Sequence, residues 1–196
     1  MKKLYLFDFD GTLTTKDTMF LYLKFYNPRK YWRCFVLHLP LFILLKMKLL
    51  SAQSVKESFI GAVLKGETKS QLEAKSQAFF EKYYPQIFRA NALDFIANMD
   101  RAQTYAYIVT ASLDIWVKPF AEALKMQLIA TEAAFENDVF TGKFKTKNCN
   151  GEEKVVRIKQ QVAHLKYDKS IAFGDTQGDQ PMLQWANEGF YQFFHE

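Results

Sequence analysis

Four aspartates in this sequence occur as two closely spaced pairs, each directly after a short apolar run. Asp8 and Asp10 follow a run near the amino terminus, and Asp175 and Asp179 follow another near the carboxyl terminus. If both runs are strands of one open α/β sheet, both pairs lie in the crevice beside the carboxyl ends of those strands. Four carboxylates in one crevice repel each other and require a cation. Oxygen ligands without a neighbouring histidine or cysteine favour Mg²⁺, which we predict as the cofactor.

This set of carboxylates is suited to the hydrolysis of a phosphate monoester. Mg²⁺ held by a few carboxylates commonly shares oxygens with a phosphate group. Asp8 can then attack phosphorus to give an aspartyl-phosphate, and Asp10 can protonate the leaving oxygen and later activate water. The hydroxyl of Thr110, after a further predicted strand, and the ammonium of Lys154 would stabilise the charge that develops on the transferring phosphoryl group.

Four segments of the chain, in this order, resemble the motifs of the haloacid dehalogenase-like (HAD) phosphatases. They are residues 8–14 (DFDGTLT), residues 110–112 (TAS), Lys154 and residues 174–179 (GDTQGD). The first motif alone is moderately specific, whereas the ordered set is highly specific. Because the motifs extend from residue 8 to residue 179, the resemblance covers essentially the whole chain.

The resemblance implies a role for each matching residue. Asp8 is implied as the nucleophile and a metal ligand, and Asp10 as the general acid/base whose backbone carbonyl also binds the metal. Asp175 is implied as a direct Mg²⁺ ligand, with Asp179 as a ligand or as a residue that orients one. The residues implied to hold the phosphate are Gly11, Thr110, Ala111 and Lys154.

Each of these residues also has a structural interpretation. The first pair of aspartates can form a turn, Thr110 can be an ordinary strand-end hydroxyl, and Asp175 and Asp179 can be helix caps. Lys154 follows two glutamates at the start of a predicted helix, where a surface lysine is common. The three histidines have no partner motif, and we predict structural or surface positions for them.

Apolar runs and helical periodicities alternate at both ends of the chain, whereas its middle is helical. Strands are predicted at residues 4–7, 104–109, 128–131, 170–173 and 190–193, with a hairpin at residues 135–144. Helices are predicted at residues 51–65, 68–84, 87–99, 114–125, 152–165 and 179–186.

This order of elements predicts an α/β fold with a Rossmann-like, doubly wound parallel sheet and an α-helical insertion after the first strand. We expect residues 1–14 and 93–196 to form the α/β core and residues 15–92 to form an α-helical cap. An insertion at this position is similar to the cap of the phosphoserine phosphatase-like branch of the HAD family, subfamily IB.

The net charge of +5 is concentrated in the first part of the chain. Residues 1–50 contain nine basic and three acidic residues, a sum of +6, so the other 146 residues sum to −1. This imbalance indicates either an anionic partner or a solvated basic face. Since no nucleic-acid recognition motif accompanies it, we expect no nucleic-acid partner. Two cysteines without a paired spacing favour a reducing, cytoplasmic location over a disulfide scaffold.

Residues 34–45 form an apolar segment with basic residues on both sides. As a helix this segment would be about 18 Å long, which is too short for a bilayer core of about 30 Å. It is predicted either to pack inside the cap or to lie on an anionic membrane surface, with Pro40 as a point where a second helix can begin. It resembles the inserts of HAD-type phosphatidylglycerophosphatases.

The substrate is the most open part of the prediction. Asp17 stands where phosphoserine phosphatases carry a glutamate that recognises the substrate amino group, and it can equally be a helix N-cap. We predict a Mg-dependent phosphatase whose phosphomonoester substrate is a phospholipid head group such as phosphatidylglycerophosphate. One alternative is a small soluble metabolite such as phosphoserine, and another, of a different class, is a non-catalytic phosphate-binding protein. A lipid substrate would bring a cytoplasmic protein to the inner face of the membrane.

Overall fold

The structure, a computed structural model, describes residues 1–195, which contain seven strands and eight α-helices. The strands are β1 (Lys3–Phe7), β2 (Thr104–Leu113), β3 (Gln127–Thr131), β4 (Ala133–Glu136), β5 (Val139–Phe144), β6 (Lys169–Gly174) and β7 (Glu188–Tyr191). The helices are α1 (Thr18–Tyr26), α2 (Pro28–Lys46), α3 (Ala52–Leu64), α4 (Lys69–Tyr83), α5 (Ala90–Ala97), α6 (Asp114–Ala123), α7 (Glu152–Val162) and α8 (Gln180–Trp185).

Five strands form one parallel sheet in the order β3-β2-β1-β6-β7. β1 lies at the centre, with Phe7 in register with Ile108 of β2 and with Phe173 of β6. The chain proceeds from β1 to β3 on one side and from β6 to β7 on the other. The strand order therefore reverses between β1 and β6, and ligands of open α/β sheets bind beside the carboxyl ends of the strands at such a point.

Helices cover both faces of this sheet, which explains why β1 is an uninterrupted apolar run. On one face Phe7 stacks on Phe173 with ring centroids 5.0 Å apart, and Phe95 of α5 packs edge-on against both rings. On the other face Leu4 and Leu6 lie in a second buried cluster with residues of α7 and α8. The predicted doubly wound α/β fold is thereby confirmed.

Four helices, α1 to α4, form an insertion after β1, as predicted, whereas α5 begins only after the chain has left the insertion and packs on the sheet. The chain enters and leaves this insertion through two adjacent extended stretches. There Thr15 N donates to Ile87 O over 2.7 Å, and Arg89 N donates to Leu13 O over 2.9 Å. These bonds hold the two ends of the insertion together beside the end of β1.

α2 is one continuous helix through Pro40, which excludes a second helix that begins at that residue. Asn27 caps α2 by accepting from Lys30 N, and Pro28 occupies the first turn. Pro40 removes the backbone hydrogen bond to the carbonyl of Val36. Both residues lie on the exposed face of α2, where water can solvate that carbonyl. Neither α2 nor another helix of residues 1–195 is long and apolar enough to cross a membrane.

Two element boundaries next to the insertion differ from the predicted ones. β2 continues to Leu113, beyond the predicted end at residue 109, because it pairs with β3 across an irregularity between Thr110 and Leu113. α5 is confined to Ala90–Ala97 instead of residues 87–99, because the residues before it form the extended exit of the insertion.

The predicted bounds of the last strand are partly wrong, whereas the predicted hairpin is present. β7 begins at Glu188, which pairs with Ile171 of β6, and ends at Tyr191, so it covers only the first half of the predicted range 190–193. β4 and β5 form the predicted hairpin. Its turn residues Asn137 and Asp138 have φ values of 48° and 62°, as a type I′ hairpin turn requires.

Candidate active site

Asp8 directly follows β1 and is buried at the carboxyl end of this central strand. Its backbone N–H donates to Phe173 O over 2.9 Å, so β6 holds the residue in place. Thr12 Oγ1 lies 3.1 Å from Asp8 Oδ2 and 2.8 Å from Asp175 Oδ1. One hydroxyl thus connects the carboxylate that follows β1 with the carboxylate that follows β6.

Asp8, Asp175 and Asp179 form a carboxylate cluster whose oxygens lie within 4.8 Å of one another. Asp179 Oδ2 also accepts from the N–H groups of Asp175 and Thr176, over 3.2 and 2.9 Å, and from Thr176 Oγ1 over 2.8 Å. Asp179 therefore caps the turn after β6, and the same side chain belongs to the cluster. Oxygens at this spacing can hold a small divalent cation.

Lys154 is a buried residue in the first turn of α7. Its ammonium donates to Asp8 Oδ1 and to Asp179 Oδ1, each over 2.6 Å, and to Val109 O over 2.8 Å. These three acceptors match the three protons of an ammonium. The surface interpretation of this lysine is therefore wrong, because its side chain reaches the meeting point of β1, β2 and the turn after β6.

Three donors orient the carboxylate of Asp10. Thr18 N and Thr18 Oγ1 donate to Oδ1 over 2.7 and 2.6 Å, and Ser112 Oγ donates to Oδ2 over 2.5 Å. Trp116 Nε1 in turn donates to Thr18 Oγ1 over 3.1 Å. Since Thr18 begins α1 and Ser112 belongs to β2, Asp10 links the insertion to the sheet. Sequence reasoning missed Thr18 and Trp116, for which no motif spacing exists, and assigned no role to Ser112.

Gly11 stands in the turn that connects β1 to the insertion, at a φ of 89°. A Cβ atom at this position would lie 2.3 Å from Asp175 Oδ2. Gly11 O accepts from Arg89 Nε over 3.1 Å and from His195 Nε2 over 2.8 Å, in the histidine tautomer with its proton on that nitrogen. The turn therefore requires glycine, and two side chains from distant parts of the chain hold its carbonyl.

The three histidines have different environments. His38 is buried and bonds Ser58 Oγ over 3.0 Å, which agrees with a structural role, and His164 is exposed. His195 is exposed, which agrees with a surface position, and its ring lies at the turn after β1, 3.9 Å from Asp175 Oδ2. Nothing in the local sequence around His195 indicates this long-range contact.

Thr110 and Ala111 lie where β2 bends at its carboxyl end. Thr110 Oγ1 accepts from Ser112 N over 3.0 Å, so its own proton points away from that group. Ala111 O accepts from Thr131 Oγ1 over 3.1 Å, which orients the peptide that follows. Both residues line the same cavity as the aspartates.

This cavity has a volume of about 230 Å³ and lies between the sheet edge and the insertion, which contributes Asp17, Met19 and Lys56. Asp17 Oδ1 accepts from Met19 N and Phe20 N over 3.0 and 3.3 Å, which confirms the N-cap interpretation. The same side chain still faces the cavity. Burial and the neighbouring charge of Asp10 raise the pKa of Asp17 to about 6.

The charges at the cavity floor do not balance. Burial raises the pKa of Asp8 to about 7, against the opposing attraction of Lys154. Burial works against ionisation of Asp179 too, but Lys154 and the bonds from Thr176 hold the pKa of Asp179 below its usual value. Although burial opposes it, the two carboxylates raise the pKa of Lys154. The single positive charge of Lys154 thus lies among several carboxylates, and a divalent cation would compensate the remaining negative charge.

The parallel sheet and the four ordered motifs together identify the family to which the chain belongs. Residues 5–184 match the sequence model of the haloacid dehalogenase-like hydrolases, so the protein belongs to this family. The family that the sequence motifs indicated is thereby confirmed. Among curated proteins, Protein CicA of Caulobacter vibrioides is 35% identical over 191 residues, which cover 96% of this chain and 85% of that protein.

Solved structures share the fold at lower sequence identity. A protein of unknown function from Bordetella pertussis Tohama I has a TM-score of 0.83 at 24% identity, with 97% of this chain and 89% of that chain covered. A phospho-aspartyl intermediate analogue of phosphoserine phosphatase has a TM-score of 0.67 at 18% identity, with coverage of 97% and 85%. The chain is therefore a HAD-family hydrolase with a phosphoserine phosphatase-like fold.

Replacement of Gly11 by alanine is expected to lower the free energy of unfolding by about 2–3 kcal/mol, because it adds a steric clash to an unfavourable φ. Gly66 supplies the matched control. It has a φ of 91°, and nothing lies within 4 Å of its Cβ position. Gly66→Ala should therefore cost only about 1 kcal/mol. Urea unfolding of both variants measures the difference, and equal losses would contradict the proposed clash with Asp175.

Proposed function

We propose that this protein hydrolyses phosphate monoesters with bound Mg²⁺ and through an aspartyl-phosphate intermediate. One observation carries the proposal: the buried carboxylate of Asp8 lies at the floor of a small cavity, with Lys154 on one side and the other cluster carboxylates on another. A carboxylate attacks a phosphate anion only where positive charge offsets their mutual repulsion. Lys154 and a cation in the cluster would supply that charge.

The oxygen donors of the cluster fit a hard cation such as Mg²⁺. Asp8 and Asp175 are the better placed to bind it, because Asp179 Oδ2 already accepts three hydrogen bonds from the turn after β6, whereas each oxygen of Asp8 has a single partner. Asp179 then serves to orient the site, and the family resemblance adds the backbone carbonyl of Asp10. When bound, Mg²⁺ would neutralise phosphate oxygens and so ease nucleophilic attack.

The reaction needs one nucleophile and one group that moves protons. In the proposal Asp8 attacks phosphorus while Asp10 gives a proton to the departing alkoxide, which leaves as the alcohol. Asp10 then removes a proton from water as that water attacks the aspartyl-phosphate, which releases phosphate and restores Asp8. The donors from Thr18 and Ser112 support this role, because they keep the carboxylate of Asp10 in one orientation.

The transferring phosphoryl group would lie between Lys154 and Thr110. The hydroxyl of Thr110 can donate to its oxygens, and the positive charge of Lys154 would stabilise the charge that develops in the transition state, with a proton that now goes to Asp8 turning to the phosphate. Ala111 supports this placement, since it lines the cavity and has no side chain beyond Cβ that would occupy the space of the phosphate, while Gly11 enters the proposal through the family resemblance.

We propose further that residues 15–92 act as a cap on a core of residues 1–14 and 93–196. Asp17 and Lys56 support this division, because the insertion contributes both to the cavity wall, whereas the segments that follow the strands contribute Asp8 and Asp179. The cap would then choose the substrate, and the core would perform the chemistry.

For the substrate we propose a phosphomonoester on a lipid head group, such as phosphatidylglycerophosphate. The cationic side chain of Lys56 at the cavity suits an anionic head group. The exposed apolar residues of α2 suit a substrate that resides in a membrane. The protein would then work at the inner face of the membrane.

Phosphoserine is the second candidate, and Asp17 favours it. A substrate with both an ammonium and a carboxylate could pair the first with Asp17 and the second with Lys56, since both residues line the cavity. A lipid phosphate without an amino group has no use for Asp17, which separates the two candidates experimentally.

Removal of divalent cations is expected to abolish hydrolysis of an aryl phosphate, and Mg²⁺ should restore it. In the metal-free protein the raised pKa of Asp8 keeps its proton bound up to about pH 7, whereas the unfolded chain loses this proton near the ordinary aspartate pKa of 3.8. The metal-free protein should therefore lose stability as the pH rises between these values. Melting temperatures with Mg²⁺ and with a chelator should consequently differ more at about pH 8 than at about pH 5. Undiminished activity in excess chelator would contradict the metal proposal.

Asp8→Asn should abolish turnover, because a neutral amide is a poor nucleophile.

Asp10→Asn should slow alkyl phosphate hydrolysis by about 10²–10⁴-fold and affect an activated aryl phosphate less, because a phenolate needs less protonation as it leaves. Asp138→Asn, in the exposed hairpin turn, is the control and should keep full activity. Equal losses on both substrates would assign Asp10 a positioning role. A wild-type protein that binds phosphate without turnover would support the non-catalytic alternative.

Asp17→Asn distinguishes the two substrates without loss of the helix cap, because asparagine also caps helices well. On the lipid proposal, hydrolysis of phosphatidylglycerophosphate exceeds that of phosphoserine in the wild type and survives this substitution. On the phosphoserine alternative, the wild type prefers phosphoserine, and Asp17→Asn raises KM for it by about tenfold or more, since a charged hydrogen bond is lost. Steady-state kinetics with both substrates gives the answer.

A further inference from the structure

The outer face of α2 carries a continuous row of exposed apolar side chains. Leu37 is 75% exposed and Ile43 is 61% exposed, values typical of polar surface residues. Of the twelve large apolar residues exposed among residues 1–195, seven lie in α2 or in the few residues after it. We call these seven the α2 stripe, and they are Trp32, Val36, Leu37, Leu39, Ile43, Met47 and Leu49.

The inner face of α2 holds the stripe in its outward orientation. His38 is buried and its ring bonds Ser58 Oγ of α3 over 3.0 Å, while Phe42 packs edge-on against Phe59 with centroids 5.4 Å apart. Tyr31 is buried at the other end of the same face. The opposite side of the helix must therefore remain outside the core, so the exposure of the stripe is a consequence of well-defined packing.

The charged residues that precede and follow the stripe in the sequence are of one sign. From residue 18 to residue 56 the sequence contains no aspartate or glutamate. The ion pairs that form among residues 1–195 involve none of the basic residues of this stretch. Those basic residues are Lys24, Arg29, Lys30, Arg33, Lys46, Lys48 and Lys56.

We propose that the α2 stripe docks this protein on the surface of an anionic lipid bilayer. α2 would lie in the plane of the interface, with the stripe at the boundary between head groups and acyl chains. Arg29 and Arg33 at one end of the helix, and Lys46 and Lys48 at the other, would contact lipid phosphates. An interfacial helix needs an apolar row with basic flanks rather than the length for a bilayer crossing, and α2 has both features.

Charge complementarity favours a lipid surface over a second copy of the chain. In an antiparallel pairing of two stripes, Arg29 and Arg33 would face Lys46 and Lys48 of the other copy, and in a parallel pairing each cluster would face itself. Both arrangements place like charges together across an apolar contact, which is unfavourable. An anionic bilayer offers opposite charge and an apolar interior at once.

Docking through the α2 stripe would also bring a wall of the candidate active site close to the membrane. α2 and α3 run antiparallel, because Cys34 Sγ contacts Ala62 O while His38, further along α2, bonds Ser58. The carboxyl-terminal end of α2 therefore lies beside the first turns of α3, which carry Lys56 of the cavity wall. A docked protein would hold this wall near the lipid head groups. This last step rests on the proposed function, whereas the docking itself does not.

Sedimentation with vesicles tests the proposal without any phosphatase step. The full chain should bind vesicles of equimolar phosphatidylglycerol and phosphatidylcholine at low ionic strength, bind less at high ionic strength, and bind phosphatidylcholine alone weakly. Leu37→Gln/Ile43→Gln should lower the partition coefficient by about tenfold or more. Arg33→Gln/Lys46→Gln should lower it by about fivefold for each charge removed. The matched control is Val156→Gln/Lys159→Gln on the exposed side of α7, which should bind like the wild type.

Trp32 provides a second, local readout. It belongs to the stripe, whereas Trp116 is buried in the core. On binding to the anionic vesicles, the fluorescence of Trp32 should shift to the blue and become accessible to quenching by brominated lipids. Trp32→Phe should remove this shift, and Trp185→Phe should leave it unchanged. Circular dichroism of each variant establishes that the fold is retained, which the exposure of the substituted residues favours.

Three results would overturn the proposal. The first is equal vesicle binding by the α2 variants and the α7 control, or binding to phosphatidylcholine alone that is as strong as to the anionic mixture. The second is no vesicle binding together with a dimer that Leu37→Gln/Ile43→Gln abolishes in analytical ultracentrifugation, which would assign the stripe to a second copy. The third is no vesicle binding by a monomer. Hydrolysis of a soluble aryl phosphate, measured for each variant, reports separately on the proposed reaction.

Discussion

A buried ammonium connects the segments that form the site. Lys154 is 1% exposed and donates to Asp8 after β1, to Asp179 after β6 and to a carbonyl of β2. An unpaired charge in such a position would cost several kcal/mol, so the lysine requires its anionic partners close by. The parallel sheet meets this requirement, because it places β1 between β2 and β6 and ends all three strands at one edge.

The same contact leaves a surplus of negative charge, which the proposed chemistry uses. Lys154 can compensate Asp8 and Asp179 only in part, and the raised pKa of Asp8 reflects its cost of ionisation without a further cation. Asp175 lies in the same cluster, held against the turn by Thr12. A bound cation would therefore stabilise the folded site and would also attract a phosphate. The stability of the site and the proposed reaction would then both depend on how the negative charge of the carboxylates is compensated.

The insertion meets this site through polar contacts and presents apolar groups elsewhere. Thr18 holds Asp10, and Lys56 lies in the cavity wall, so in the proposed reaction the insertion would influence both proton transfer and substrate choice. Its helix α2 packs its inner side through His38 and aromatic rings and turns the stripe outward. A single helical insertion thus combines a wall of the candidate active site with a surface suited to lipid.

The sequence by itself determined the features that local patterns encode. The apolar strand, the DFDGT segment and the capping box of Thr68 and Gln71 follow from residues close together in the chain, and the ordered motifs indicated the family. The tertiary structure alone decided that Lys154 is buried, that Thr18 orients Asp10 and that His195 reaches the turn after β1. Lys154 and Asp8 are 146 residues apart, and no local pattern specifies such a contact. Likewise, the sequence of an apolar helix is the same whether its outer face is covered or exposed. Neighbouring elements decide which side of the helix is buried, so only the tertiary structure shows it.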